Sequence, residues 1–136
     1  MKEKLPIEGE ALPEHSKKVT QSQVNAYAEA AGDFNPIHVD AKFASGTKFG
    51  RRIAHGMLIL GFVAEMMRST FPEVWPNGGS LKVKFRSPVF PGETVTSYGS
   101  ISSVTKTSSG HVAECIVGCR KPDGSDAISG TATVIF

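Results

Sequence analysis

This sequence has few cysteines, little net charge and no long apolar run, and each of these shortages excludes a class of structure or function. Its two cysteines, Cys115 and Cys119, lie in a segment that reads as a strand, which puts them about 13 Å apart and excludes a disulfide between them. The 15 Lys and Arg against 13 Asp and Glu leave a net charge of +2, too weak to indicate a nucleic-acid or membrane-surface protein. No apolar run could span a bilayer, and the N-terminus lacks the apolar stretch of a signal peptide, so we expect a cytoplasmic protein.

The residues that are present are typical of one globular domain. A chain of 136 residues leaves no room for two domains, and the 40% of hydrophobic residues can form a core. We therefore predict a single domain over residues 1–136. The two cysteines fit that core as small buried side chains, because a metal site built on them would lack two further ligands.

The first half of the chain predicts helices. Residues 1–18 are polar and read as an extended lead-in. Thr20 and Gln23 then have the spacing of a capping box, and an apolar stripe follows that ends at Gly32, a residue suited to a helix C-terminus. The segment 32–38 is expected to be irregular, because a proline in it cannot continue a helix.

Two further helical segments are predicted before residue 70. Asp40 can cap a short turn that runs to Ala44. Residues 56–68 are the most apolar stretch of the chain, with apolar side chains nearly all round a helix. Such a helix should be buried on most sides.

The second half of the chain changes to the period of strands. Apolar and polar residues alternate, and turn-forming residues separate the segments. Four strands are predicted, at 81–86, 94–107, 112–120 and 128–136. Helices followed by antiparallel strands indicate an α+β fold, in which the sheet curls around the apolar helix. Its exposed edges would need protection, and pairing with a second copy of the chain is a common solution.

Residues that could carry chemistry are concentrated between 32 and 56. Asp33 and His38 flank a turn held in shape by Asn35-Pro36, and a carboxylate and an imidazole there could point at one water as general acid and base. Spacing alone leaves the alternative that Asp33 caps a turn, that Asn35 opens one and that His38 is a partly buried histidine.

Other groups in this region have two interpretations each. Gly56 begins the apolar helix, where free backbone N–H groups could polarise a thioester or carboxyl oxygen, or where glycine simply permits tight packing. Three basic residues could hold the phosphates of a nucleotide-bearing substrate or form a solvated loop: Lys48, Arg51 and Arg52. A metal site formed by His38, Asp40 and His55 has ligand types but no familiar spacing.

Taken together, these residues resemble a known motif. The matching positions are Tyr27, the run Gly32-Asp33-Phe34-Asn35-Pro36-Ile37-His38, Ala44 and the run Ala54-His55-Gly56-Met57. They closely resemble the hydratase-2 motif of the MaoC-like (R)-specific enoyl-CoA hydratases. The resemblance implies a hot-dog fold, a curved antiparallel sheet wrapped around one helix. It also implies a homodimer with the sheets joined edge to edge and an acyl tunnel near the interface.

The resemblance also implies roles for individual residues. Asp33 and His38 would hold and activate a water, Asn35 would support them, and the Gly56 N–H would donate to the thioester carbonyl. The implied reaction is reversible syn addition of water to a trans-2-enoyl-CoA, giving the (R)-3-hydroxyacyl-CoA. We expect an acyl-CoA substrate, no cofactor, no metal and no nucleic-acid or membrane partner.

Three other functions remain open from the sequence. A dehydratase could act on acyl-carrier-protein thioesters instead of acyl-CoA. A hot-dog thioesterase would place its carboxylate on the central helix, where Glu65 lies, but Glu65 is far along that helix from Gly56. A non-catalytic acyl-thioester-binding module would be expected to lose Asp33 or His38, and both are present.

Overall fold

The computed structural model describes residues 3–136. Its helices and strands are largely segregated along the chain. One short strand comes first, four helices follow, and four strands complete the chain. In chain order they are β1 His15–Lys18, α1 Gln21–Ala31, α2 Pro36–Val39, α3 Ala41–Ser45, α4 Gly56–Thr70, β2 Ser80–Phe85, β3 Thr94–Thr107, β4 Gly110–Arg120 and β5 Asp126–Ile135. Within these residues, no helix is long and apolar enough to cross a membrane.

The strands form one antiparallel sheet in the order β1-β3-β4-β5-β2. The two long central strands, β3 and β4, pair along almost their whole length, with one register shift between Ile101 and Ser103. Such a shift bends and twists a strand pair, which favours a sheet that curves. The α+β class and the sheet wrapped around a helix are confirmed.

Helix α4 packs across the inner face of this sheet. It contacts β1, β3, β4 and β5, and its side chains Ile59, Val63 and Met66 are buried. On the sheet, the alternate residues Cys115 and Val117 face the same core and are fully buried. Burial of this apolar surface is the main contribution to the stability of the domain.

Helix α4 is buried on most sides, as predicted, but one side stays exposed. The exposed residues recur at helical spacing, namely Met57, Gly61, Glu65 and Arg68. Two residues of this exposed stripe, Met57 and Gly61, are apolar by type but face away from the sheet. The helix also extends to Thr70, two residues past the predicted end.

Two other expectations need correction. The lead-in contains a strand, β1, which pairs with β3. The segment 32–38 is not wholly irregular, because Pro36 begins the one-turn helix α2. Proline suits the first position of a helix, where its missing N–H is not needed, while the residue before it stays outside the helical region. Asn35 does so, with φ −51° and ψ 125°.

The predicted helix ends of α1 are confirmed. The side chain of Thr20 accepts a hydrogen bond from the Gln23 backbone, and the Gln23 side chain accepts one from the Thr20 backbone. At the other end Gly32 has φ 70°, a left-handed conformation that costs glycine little. This turn sends the chain directly into the loop that carries Asp33.

Close approach between β2 and β5 depends on Gly130. A Cβ there would overlap the Lys82 carbonyl oxygen and lie 2.6 Å from the Val83 Cα, both backbone atoms of the paired strand. We expect Gly130→Ala to lower the free energy of unfolding by about 1–3 kcal/mol, because the strand must shift. Urea or thermal unfolding measures the change.

A matched control is Gly61→Ala on α4, where an added Cβ meets nothing within 4 Å. Alanine has the higher helix propensity, so this variant should be as stable as the wild type or more stable, by up to about 1 kcal/mol. Equal stability of the two variants would contradict the packing argument.

Candidate active site

The loop between α1 and α2 is held by its own hydrogen bonds. The Asp33 N–H donates to the Ala28 carbonyl at 3.0 Å, and one oxygen of the Asp33 carboxylate accepts from the Asn35 N–H at 3.2 Å. The Asn35 side chain in turn accepts from the Ile37 N–H at 3.1 Å and caps α2. The turn-forming roles left open by the sequence are therefore real, and they fix where the Asp33 carboxylate lies.

Helix α2 presents His38 with one ring nitrogen occupied. His38 Nδ1 lies 2.8 Å from the Ile53 carbonyl oxygen. A carbonyl oxygen only accepts, so Nδ1 carries the hydrogen and, in the neutral ring, Nε2 carries a free lone pair. The half-buried ring thus offers Nε2 as a base, or as an acid once Nε2 is protonated.

His55, at the start of α4, completes the cluster. Its ring is 2% exposed and stacks on the His38 ring, with centroids 3.8 Å apart and planes 26° apart. His55 Nε2 lies 3.0 Å from the Asp33 carbonyl oxygen. The sequence identified His55 only as a motif residue and a potential metal ligand. Its contact with both members of the pair depends on a chain reversal that no local pattern reveals.

Asp33, His38 and His55 each offer one potential ligand atom, and these atoms lie within 4.8 Å of one another. Asp40, which the sequence considered both as a metal ligand and as a cap, caps α3 as predicted by accepting from the Phe43 N–H at 3.1 Å. Stacked rings hold their lone pairs in separate, nearly parallel planes. A zinc ion about 2 Å from both nitrogens would lie outside at least one ring plane, so the arrangement suits proton transfer better than metal binding.

The N-terminus of α4 is open on the side next to this cluster. The Leu58 and Ile59 N–H groups both donate to the His55 carbonyl, and the His55 side chain makes no capping hydrogen bond. The first N–H groups of a helix have no partner within it and lie at the positive end of its dipole. The helix start at Gly56 can therefore receive a negatively polarised oxygen.

A pocket of about 550 Å³ adjoins Gly56. Its lining is largely apolar and includes Phe49, Ile59, Phe85 and Val89, with Lys48 and Arg86 as its charged members. An added Cβ at Gly56 would lie 2.9 Å from the Phe85 ring, so glycine permits the close packing of Phe85 on the helix start, which is the second interpretation that the sequence left open. Asp33 and His38 do not line the pocket; they adjoin it through the segment 53–56.

Of the other basic residues that the sequence singled out, Arg51 lies elsewhere. Its guanidinium carbon lies 4.1 Å from the centre of the Phe90 ring. That stacking is a cation–π contact and accounts for the position of the side chain without a phosphate. Of the three basic residues that the sequence left as either phosphate-binding or part of a solvated loop, Lys48 lines the pocket, and Arg51 and Arg52 do not.

Comparison with known proteins decides the family. The profile of the family described as "MaoC like domain" matches residues 3–117.

The chain belongs to the MaoC-like family.

Two curated relatives and one solved structure are among its similar proteins. The (R)-specific enoyl-CoA hydratase of Aeromonas caviae is 31% identical over 123 residues, which cover 88% of this chain and 87% of that protein. The 3-hydroxybutyryl-CoA dehydratase of Methylorubrum extorquens is 38% identical over 79 residues, covering 58% of this chain but only 50% of the relative. The structure of the A. caviae (R)-hydratase involved in PHA biosynthesis superposes with a TM-score of 0.84 at 28% identity, covering 96% and 97% of the two chains. The hot-dog arrangement expected for a MaoC-like protein is confirmed.

Glu65 has a separate role in this MaoC-like domain. Its carboxylate pairs with the Lys17 ammonium on β1 at 2.7 Å, and its side chain is about half exposed. It lies nine residues past Gly56, about 14 Å along the helix axis. A thioesterase carboxylate at Glu65 could not share a water with a carbonyl held at Gly56.

The two cysteines are not candidate nucleophiles. Both Cys115 and Cys119 are free and fully buried, as expected from the sequence. Burial raises the pKa of each thiol to about 11. Since the thiolate is the reactive form, both remain inert core side chains at neutral pH.

Proposed function

We propose that this protein is an (R)-specific enoyl-CoA hydratase, which also runs the reverse reaction as a 3-hydroxyacyl-CoA dehydratase. The observation that carries the proposal is the cluster of the Asp33 carboxylate with the His38 imidazole beside the open N-terminus of α4. The named activities of the relatives, an (R)-specific enoyl-CoA hydratase and a 3-hydroxybutyryl-CoA dehydratase, support a hydro-lyase.

The reaction needs a base and an acid on one face of the substrate. Water loses a proton as its oxygen bonds to C3 of the trans-2-enoyl thioester, and the electron pair of the double bond takes up a proton at C2. Asp33 and His38 can exchange these two protons, with His38 acting through Nε2 because Nδ1 is bonded to the Ile53 carbonyl. A pair on one side of the substrate suits syn addition and the (R) product.

Negative charge builds on the thioester oxygen as water adds. We assign the donor to the Gly56 backbone N–H, because an unpaired helix N–H stabilises an enolate-like oxygen more than it stabilises the substrate carbonyl. Asn35 supports the pair indirectly, since its side chain caps the helix that carries His38. In this proposal the chemistry requires neither metal nor cofactor.

CoA and acyl-carrier protein are both carriers of acyl thioesters. Lys48 and Arg86 lie in the lining of the pocket next to Gly56, where they suit the phosphates of a nucleotide-bearing thiol. We therefore favour acyl-CoA and keep the acyl-carrier-protein thioester as the alternative. A cytoplasmic location stays a prediction.

The proposed domain spans residues 1–136. The family match ends at residue 117, while β5 at Asp126–Ile135 pairs with both β4 and β2 in the same sheet. Within residues 3–136, β5 is the one strand that pairs with β2, so removing β5 would leave β2 unpaired. Residues 1 and 2 lie outside the described part of the chain.

Neutral replacement of the pair tests the mechanism. Asp33→Asn and His38→Gln keep size and lose proton transfer, so each should lower kcat by about 10²–10⁴-fold. The rate of crotonyl-CoA hydration is measured from the loss of its conjugated absorbance, and circular dichroism verifies the fold.

Asp40→Asn is the matched control, since Asp40 lies in the same region but only caps α3, which asparagine also does. It should keep the wild-type rate. A well-folded Asp33→Asn or His38→Gln enzyme with wild-type turnover would exclude the assigned mechanism.

The products separate hydratase from thioesterase. We expect an enoyl-CoA to become a 3-hydroxyacyl-CoA without release of thiol. Chromatography detects the hydroxyacyl product, and a thiol reagent detects any released thiol. Glu65→Gln should change kcat little, because this exposed carboxylate pairs with Lys17 instead of facing the site. Thiol release as fast as hydration, lost in Glu65→Gln but kept in Asp33→Asn, would favour the thioesterase.

We also propose a homodimer, or a multiple of one, formed through the β2 edge of the sheet. Strand β2 lies at the end of the sheet with one side unpaired, and Phe85 on it is 55% exposed. An unpaired edge with an exposed aromatic is a site for pairing with another copy.

Light scattering should give twice the mass of the chain, or a multiple of that. Phe85→Glu should shift the protein toward the monomer, while Ile116→Glu should not, since Ile116 is equally exposed (54%) but lies on a central strand. An active wild-type monomer at micromolar concentration would contradict the proposal.

A further inference from the structure

One ring, that of His55, contacts both members of the proposed acid/base pair. Its Nε2 edge lies 3.0 Å from the Asp33 carbonyl oxygen, and its face stacks on His38 at a centroid distance of 3.8 Å. The contacts use different parts of the ring, so they are made at the same time. No other described side chain makes a hydrogen bond to the Asp33 backbone and also stacks on His38.

The His55 ring also contacts a residue of α1. The Tyr27 ring of α1 lies 4.7 Å from it with planes 56° apart. With 2% of its surface exposed, the His55 ring has no freedom to leave this position. A rigid side chain of this kind can transmit the position of α4 to the loop that carries Asp33.

Helix capping does not account for a histidine here. His55 occupies the N-cap position of α4, but its side chain makes no capping hydrogen bond. Serine, threonine, aspartate or asparagine would satisfy the helix better, because their side chains accept a hydrogen bond from the second or third N–H of a helix. Turning the side chain toward Asp33 leaves the helix N-terminus open.

Core packing does not account for it either. Because a carbonyl only accepts, His55 Nε2 carries the hydrogen, and Nδ1 is left with a lone pair. Nδ1 is buried and has no hydrogen-bond partner among the described residues. An unpaired buried nitrogen is costly, so an apolar residue would serve a purely structural role better.

We propose that His55 is a positioning residue whose one neutral ring fixes the position of Asp33 relative to His38. It works as the Nε2–H tautomer, opposite to the Nδ1–H tautomer of His38. The inference rests on the proposed hydratase function and adds a residue that acts through the pair without touching the reacting atoms.

Two variants of equal length isolate the hydrogen bond. His55→Gln keeps an N–H donor near the place of Nε2, and His55→Met has the same reach with no donor. Displacing a catalytic group by about 1 Å costs on the order of 10²-fold in rate, so His55→Met should lower kcat by about 10–100-fold with KM within about threefold of the wild type. His55→Gln should recover most of that loss.

Kinetics on crotonyl-CoA and the melting temperature are measured for both variants. Equal wild-type kcat in both, or an equal fall in kcat in both that follows a lowered melting temperature, would overturn the positioning role. A wild-type protein that hydrates no enoyl-CoA would instead count against the proposed function, so the two failures are distinguishable.

The ring nitrogens of the wild-type protein provide a measurement that needs no variant. Nitrogen-15 NMR of the imidazoles should show hydrogen on Nε2 of His55 and on Nδ1 of His38. Should His55→Met fail to fold, this spectrum decides: hydrogen on Nδ1 of neutral His55 would overturn the proposal, because Nε2 could then not donate to Asp33.

Discussion

The hydrogen bond between His38 Nδ1 and the Ile53 carbonyl is the interaction on which the rest of the site depends. It joins α2 to the segment before α4, and a second bond, from the Ile53 N–H to the Ile37 carbonyl at 3.2 Å, holds the same two segments together. These bonds place the start of α4 beside the loop that carries Asp33. They also decide the chemistry of His38, since the nitrogen that is bonded to a carbonyl cannot accept a proton from water.

The sheet holds the start of α4 and the adjoining loop in fixed positions. Helix α4 buries one stripe against the inner face of the sheet, which fixes the direction of its axis and the position of its first residue. The Ala54 N–H donates to the Val89 carbonyl at 2.8 Å, so the approach to α4 is also tied to the connection between β2 and β3. A core built for stability thus holds a loop, a helix N-terminus and two imidazoles at fixed separations, as proton transfer requires.

Much of the fold followed from local patterns. The capping box at Thr20, the left-handed Gly32 and the four long strands were predicted because each depends on a few neighbouring residues. Strand β1 was missed because His15–Lys18 has no apolar alternation; its inward positions, His15 and Lys17, are polar residues and only partly buried. Strand β1 forms because it pairs with the edge of β3, and a pairing with a distant strand leaves no signal in the local sequence.

For the site, the sequence by itself determined which residue types stand near one another along the chain: a carboxylate, an asparagine-proline turn and a histidine, then a glycine at a helix start. These were enough to indicate acid/base chemistry on a thioester, and the family resemblance gave them roles. The Asp40 cap of α3 is local and was predicted from the sequence. Tertiary structure alone decided that Arg51 stacks on Phe90 and that His55 contacts both Asp33 and His38. The physical reason is that capping and turn formation are local, whereas ring stacking and hydrogen bonds across 15 to 22 residues exist only after the sheet has fixed α4 in place.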